Sequence, residues 1–330
     1  MSDTLPKLLQ EIHSVETPSE LNSKLSNFES RIAAILSVSP DQKNYYINHT
    51  GRELYRKLYN FGLTHLISYS YDSGFRPNLP EWTPAYPTET LAWYDASDSS
   101  TITASSNIIS QVDDKSGNNF NLSILTPSKT GPKTGIETLN GLNVFTWDTV
   151  GQVLENNSFS YDQNSNGLYF AIIFKCIIDG TQDFVLAGTE LNTPGNRMAV
   201  RRNGNVNSVQ IIGGSGTGAN KVLGSSPGSV PEGQDFLIAS KFNGSNSHIR
   251  INGGLARSGD IGTNTFSSLN IGSNESETSP IKGYIAEVIF FTGSSDEEKT
   301  EGYLAHKWDL VPLLPSSHPY KKDPPFIFGV

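Results

Sequence analysis

Carboxylates, imidazoles and a lone thiol are the groups in this sequence that could do chemistry, and their spacing limits what that chemistry is. Cleaving a glycosidic bond takes two carboxyl groups facing each other across a cleft. Glu287 lies alone in the apolar run Ile285–Phe291, with no acidic companion. The sequence therefore predicts no catalytic residue and gives Glu287 a structural role, hydrogen-bonding to neighbouring backbone. Asp95, Asp98, Asp113, Asp114, Asn118 and Asn119 offer oxygen atoms over a short stretch. Calcium takes about six to eight such oxygens and is the one cofactor they would suit. Their spacing matches no EF-hand loop, so we read them as turn formers and expect no bound cofactor.

His306, with Lys307 beside it, and His318 invite a metal reading, but no third ligand is evident and the six histidines show no zinc spacing. Packing or surface roles are expected for all three residues, and no metal site. Cys176 is the only cysteine, so no intramolecular disulfide can form; in the run Leu168–Ile178 it reads as a buried packing residue. The stretch Gly213-Gly214-Ser215-Gly216-Thr217-Gly218 lacks the strand-to-helix setting and the Lys-Ser/Thr of a phosphate loop, and reads as a mobile surface loop.

The elements that must position these groups fall into two parts. Residues 1–75 carry helical stripes. Leu5, Leu8, Leu9 and Ile12 come first. Thr17-Pro18-Ser19-Glu20 then starts a helix bearing Leu21, Leu25, Phe28, Ile32, Ile35 and Leu36. Ser39-Pro40-Asp41-Gln42 starts a third, bearing Tyr45, Tyr46, Leu54, Leu58 and Phe61. The aromatic-rich stretch Tyr45–Phe75 serves either as this segment's own core or as a contact surface. Residues 76–90 form a proline-rich linker, since proline sustains neither helix nor central strand.

From Leu91 the period changes. Short runs predict strands at 91–95, 108–112, 122–125, 142–147, 168–178, 184–186, 198–202, 206–212, 236–242, 248–252, 269–271 and 283–291. Asn140-Gly141, Asn203-Gly204, Asn243-Gly244 and Asn252-Gly253 between them suit type I′ hairpins. One helix closes the domain, from a capping box at Ser295-Asp296-Glu297-Glu298 to about Trp308, with Tyr303, Leu304 and Trp308 inward. The proline-rich tail after Leu310 reads as an extended strap, and 321–330 as a C-terminal tail.

Bulk properties exclude some functions. Twenty-four basic residues against 33 acidic ones leave a net charge of −9. Arg201-Arg202 is the nearest thing to a basic cluster, so a nucleic-acid role is not expected. The start, MSDTLPKLLQEIHSVETPSE, lacks the charged and apolar regions of a signal peptide, and no run approaches the roughly 20 apolar residues of a membrane helix. We expect a soluble protein made in a cytoplasm, and read the five Asn-X-Ser/Thr sequons as chance matches.

Several stretches resemble laminin-G-like domains of the concanavalin A-like lectin/glucanase superfamily. Leu91-Ala92-Trp93-Tyr94-Asp95-Ala96-Ser97-Asp98 is similar to the opening strand. Asp114-Lys115-Ser116-Gly117-Asn118 and Asn140-Gly141-Leu142-Asn143-Val144 are similar to the next two signatures. The most specific part is the end: Gly283–Phe290, Glu301–Trp308, then Leu314-Pro315-Ser316-Ser317-His318-Pro319-Tyr320. The resemblance covers residues 88–320 and omits the N-terminal helices.

It implies a mainly β fold, a concanavalin A-like jelly-roll β-sandwich over 91–320. With the N-terminal helical domain and the closing C-terminal helix this completes the expected architecture. It implies a binding or structural module, and the Glu-x-Asp-x-x-Glu or Glu-x-Asp-x-Glu run of the hydrolytic members is absent, so no enzyme is expected. Without a signal peptide, such a domain resembles an appendage of tailed-phage virions. Residues 1–75 would anchor it to a capsid, tail or fibre protein and assemble a homo-oligomer, while the sandwich meets a host-surface glycan through residues the sequence does not single out. The alternatives are a bacterial carbohydrate-binding surface protein and, less favoured, a diverged glycan hydrolase.

Overall fold

A computed structural model describes residues 81–162, 166–177, 184–188, 198–214, 220–273, 281–293 and 296–325. The expected helices of residues 1–75 and the tail residues 326–330 lie outside them. Pro84–Asp323 form one compact unit, mainly β, with antiparallel sheets and, among the described residues, a single α-helix near its end.

Among the described residues, twenty strands follow one another in this unit. The first seven are β1 (Thr90–Asp95), β2 (Ile102–Ser105), β3 (Ile108–Val112), β4 (Leu122–Ser123), β5 (Thr138–Leu139), β6 (Leu142–Asn143) and β7 (Phe145–Trp147). Next come β8 (Leu154–Asn156), β9 (Tyr161–Asp162), β10 (Leu168–Cys176), β11 (Phe184–Gly188), β12 (Ala199–Asn203), β13 (Ser208–Gly214) and β14 (Asn220–Gly224). The last are β15 (Asp235–Phe242), β16 (Ser247–Ile251), β17 (Gly254–Gly259), β18 (Thr265–Phe266), β19 (Leu269–Ile271) and β20 (Gly283–Thr292), followed by helix α1 (Glu297–Lys307).

A seven-stranded sheet runs β1-β20-β10-β15-β16-β17, with β7 also on β20; a nine-stranded sheet runs β14-β13-β12-β11-β19-β8-β4-β3-β2. One buried cluster joins them. The first sheet gives Phe170, Ile172, Phe174, Ile238 and Phe290, and the second gives Val200, Val209, Ile211, Leu154 and Leu122. Successive strand residues point to opposite faces. A strand covered on one face alternates, whereas one covered on both reads as a continuous apolar run. β10 and β20 are of the second kind, buried along nearly their whole lengths. Edge strand β17 alternates and leaves Leu255 exposed.

The second cover is α1 with the chain after it. Leu304, Ala305 and Trp308 are fully buried, as are Ala171, Ile173 and Ile289 on the face of the sheet turned away from the shared core. The tail is not an extended strap. A 3-10 turn at Val311–Leu313 leads into successive turns, with His318 N–H bonded to Pro315 O and Lys321 N–H to His318 O. Lys321 Nζ donates to the carbonyls of Val311, Pro312 and Leu314 at 2.7, 3.0 and 2.8 Å. Those oxygens need a donor, and a compact tail supplies it from within.

All twelve expected strands are present, those at 108–112 and 269–271 with the expected ends and the others shifted, and the run expected at 142–147 is broken into β6 and β7. β2, β5, β8, β9, β14, β17 and β18 were not expected. Asn140-Gly141 and Asn252-Gly253 have positive φ at both residues, as type I′ turns require. The other two Asn-Gly pairs depart from that reading. The β12–β13 loop spans four residues with the left-handed position at Asn207, and Gly244 opens a 3-10 turn. Helix α1 starts at Glu297 with Asp296 as N-cap and no side-chain cap bond; Ser295, on which the expected capping box depends, lies outside the described residues. Gly213 and Gly214 belong to β13, and a Cβ on Gly213 would lie 2.2 Å from Ile261 O. The remaining residues of that glycine-rich stretch, 215–218, lie outside the described residues.

Candidate functional site: two carboxylates buried beneath the C-terminal helix

β20 would alternate simply were it not for a register shift against β10. Ile173 pairs with Glu287 and Phe174 with Ile285, which leaves Ala286 as an extra residue. Such a bulge re-aims the side chains beyond it. Ile285, Val288 and Phe290 therefore all reach the core, and Glu287 turns to the other face, towards α1.

There Glu287 is fully buried and accepts four hydrogen bonds. Trp93 Nε1 (2.6 Å) and Tyr303 Oη (2.9 Å) donate to Oε1; Trp308 Nε1 and Lys307 Nζ, both at 2.7 Å, donate to Oε2. The partners are side chains from β1, from α1 and from its C-cap, not the neighbouring backbone that the sequence reading gave it. Asp95 lies directly across from Glu287 on β1. Two facing carboxylates repel unless a cation joins them, and Lys307 Nζ, 2.7 Å from each, does so. Lys115 holds the other Asp95 oxygen at 2.9 Å and Asp98 at 2.7 Å, with its ammonium 4.3 Å from the centre of the Trp93 ring. Burial, with Asp95 adding to it, pushes the Glu287 carboxyl above its ordinary range against the pull of Lys307. Burial also raises Asp95, but Lys307 and its other donors bring it below the ordinary value.

The helix returns the arrangement. Glu301, fully buried on α1, takes two parallel bonds from Arg250 of β16: Nε to Oε1 at 2.6 Å and Nη2 to Oε2 at 2.9 Å. This fork is the geometry in which an arginine and a carboxylate bind best. His318 Nε2 lies 3.2 Å from Glu301 Oε2, and His318 Nδ1 accepts from Tyr320 N–H at 3.2 Å. A nitrogen that accepts from an N–H carries no proton, so Nε2 holds the hydrogen and donates it to Glu301. Two glycines make room. A Cβ on Gly253, at φ +78°, would lie 2.8 Å from His318 and Leu314, and one on Gly302 would lie 2.5 Å from Tyr320.

The other sequence candidates are scattered. Asp114 accepts from the N–H groups of Trp93, Ser116 and Phe120, Asp98 caps the 3-10 turn at Ser99–Thr101, and Asn118 donates to Thr90 O and Leu91 O. These are turn-forming roles, as expected, and Asn119 sits at φ +63°. Asp113 accepts from Gln111 Nε2. His306 Nε2 bonds Tyr320 O at 2.9 Å, while Lys307 and His318 pair with different carboxylates, so the residues 306, 307 and 318 do not converge on one point. Cys176 is buried as expected, and burial pushes its thiol up to about 12. Sequence reasoning passed over Arg250, Glu301 and Arg202. Arg202 is wholly buried on β12, bonded to Val230 O at 3.1 Å, to Asn207, and to Glu232 at 3.5 Å, with Nη1 unpaired.

No protein-family model and no curated protein matches the chain. Solved structures of low identity do. The receptor-binding domain of botulinum neurotoxin D aligns at TM-score 0.47 and 13% identity over 64% of this chain and 52% of that one. Trypanosoma rangeli sialidase, in complex with 2,3-difluorosialic acid, aligns at 0.45 and 11% over 67% and 34%. Domain 4 of an extracellular arabinanase from Geobacillus stearothermophilus, in complex with arabinotriose, aligns at 0.44 and 16% over 62% and 93%. The chain spans about half the length of the neurotoxin domain (52%). These are partial likenesses.

Proposed function

We propose that the chain is a non-enzymatic structural appendage of a tailed-phage virion. Residues 1–75 anchor and assemble it on a capsid, tail or fibre protein, and a concanavalin A-like jelly-roll domain over 91–320 is displayed for contact with a host-surface glycan. The observation that carries the reading is the convergence of the residues on which the laminin-G resemblance rests. Trp93, Asp95 and Lys115 come from the front of the domain; Glu287, Glu301, Tyr303, Lys307, Trp308 and His318 come from its end. In space they close one seam, and this convergence supports the resemblance.

The seam also bears on mechanism. A glycosidase carboxyl must face a bound sugar and exchange a proton with it. Glu287 faces the underside of α1 and Glu301, on α1, faces Arg250 of the sheet, with four and three donors respectively. The same cover occupies the outer faces of β10 and β20, which favours the loops and the nine-stranded sheet for glycan contact.

Mass spectrometry and cryo-EM of purified particles test this. The reading expects the chain in stoichiometric amount, with residues 1–75 against a virion protein and the β domain outside. Absence from the particle would leave the bacterial surface-protein alternative, and turnover of a polysaccharide by the purified chain would restore the hydrolase.

A further inference from the structure

We infer that Lys307 and Asp95 become joined by an isopeptide bond, with Glu287 carrying the protons, so that α1 is tied covalently to β1. The inference stands apart from the functional reading above. Its parts are an amine, a carboxyl group and a second, buried carboxyl group within one bond's reach. Lys307 Nζ lies 2.7 Å from Asp95 Oδ1 and 2.7 Å from Glu287 Oε2. Side-chain exposure is 18% for Lys307, 5% for Asp95 and zero for Glu287. The rings of Tyr303 and Trp308 lie 5.6 and 5.0 Å from the ammonium, and Trp93 closes the pocket on Glu287.

The reaction balances as ammonium plus carboxylate giving amide plus one water. Glu287 takes a proton from Lys307, and the freed Nζ forms a bond to Asp95 Cγ. The bond from Cγ to Oδ1 then breaks. Nζ gives up a second proton, both protons leave with Oδ1 as water, and Glu287 ends as it began. During attack the negative charge gathers on Oδ2. Lys115 Nζ, 2.9 Å away, is placed to stabilise it.

The first step moves a proton between two groups already in contact, Lys307 Nζ and Glu287 Oε2, 2.7 Å apart. Glu287 is a competent acceptor: burial has already moved its carboxyl upward. Asp95 is held ionised chiefly by Lys307, and deprotonation of Lys307 removes that hold. Lys115 touches Asp95 as well but lacks such an acceptor. Its other partner, Asp98, is held at about 2 by its bonds to Lys115 and Ser100.

The test is the intact mass of the purified full-length chain under denaturing conditions, with tandem mass spectrometry of its peptides. The expected result is a mass one water below the sequence sum and a branched peptide joining residues 95 and 307. K307R and E287Q should each restore the full mass. A wild-type chain at full mass overturns the proposal and leaves an ion pair. So does a water loss that persists in K307R, since that would place it at a succinimide elsewhere. The wild-type measurement decides the matter even where a variant fails to fold.

Discussion

Glu287 and Arg202 are both fully buried charges, one on each sheet, and their surroundings differ. Glu287 has four donors, an ammonium among them, and every partner comes from another element. Arg202 is bound at Nε and Nη2, reaches its one carboxylate at 3.5 Å, and leaves Nη1 unpaired. Burying a charge costs several kcal/mol unless the pairing is nearly complete. A saturated charge therefore specifies an arrangement, because no other placement of α1 satisfies it. An unsaturated one leaves a cost that an apolar side chain of similar size would avoid. The apolar contacts of Leu304 and Trp308 hold the helix down, at about 1.5–3 kcal/mol for a fully buried large side chain. The carboxylates decide where it sits.

The largest effect expected is at Glu287. E287L leaves two indole N–H groups, a hydroxyl and an ammonium buried without their acceptor, and should lower stability by about 3–5 kcal/mol, the usual cost of breaking a buried pair. Urea titration reads this, and a loss below about 1 kcal/mol would remove Glu287 from its central place. E301Q keeps the shape and one acceptor but weakens the Arg250 fork; we expect about 1–3 kcal/mol, as for other charged hydrogen bonds.

A smaller effect should appear in acid. Asp98 is held at about 2 against an ordinary 3.8, by its hydrogen bonds to Lys115 and Ser100. Between those values the unfolded chain binds more protons, so stability rises with pH across that window and is lost as pH falls through about 2. Thermal melts from pH 5 down to pH 2 should show a shallower decline in D98N than in wild type; parallel curves would speak against this pair. The smallest effect is expected at Arg202. R202M should leave stability within about 1 kcal/mol or raise it, because it removes a buried charge whose Nη1 has no partner and whose carboxylate, Glu232, is about a third exposed and can be hydrated instead. A loss as large as that of E287L would erase the contrast on which this comparison rests.

Much of the architecture was legible in the sequence because it rests on local rules. β10 and β20 show as unbroken apolar runs, and Asn140-Gly141 and Asn252-Gly253 turn as their residues require. Strands β2, β14 and β17 were not legible, because they carry few apolar residues and depend on neighbours for pairing. Asn203-Gly204 misled because strand register, set by Asn203 facing Ser208, outweighed the local turn preference. At the site, the lone Glu287 stood out, but its partners lie up to 194 positions away in sequence. A bulge, which sequence alternation does not announce, decides which way it points. Glu301 and Arg250 look like ordinary surface charges on a helix and a near-edge strand until the tail is folded over them.

The most direct test of the central claim, that the Glu287 seam fixes α1 on the sheet, is hydrogen exchange at residues 297–308 in wild type and in the nearly isosteric E287Q. The account predicts slow exchange for α1 in the wild type and markedly faster exchange in E287Q, with the β2–β3 hairpin unchanged. Equal protection of α1 in both proteins would contradict it, and would assign the placement of the helix to apolar packing alone.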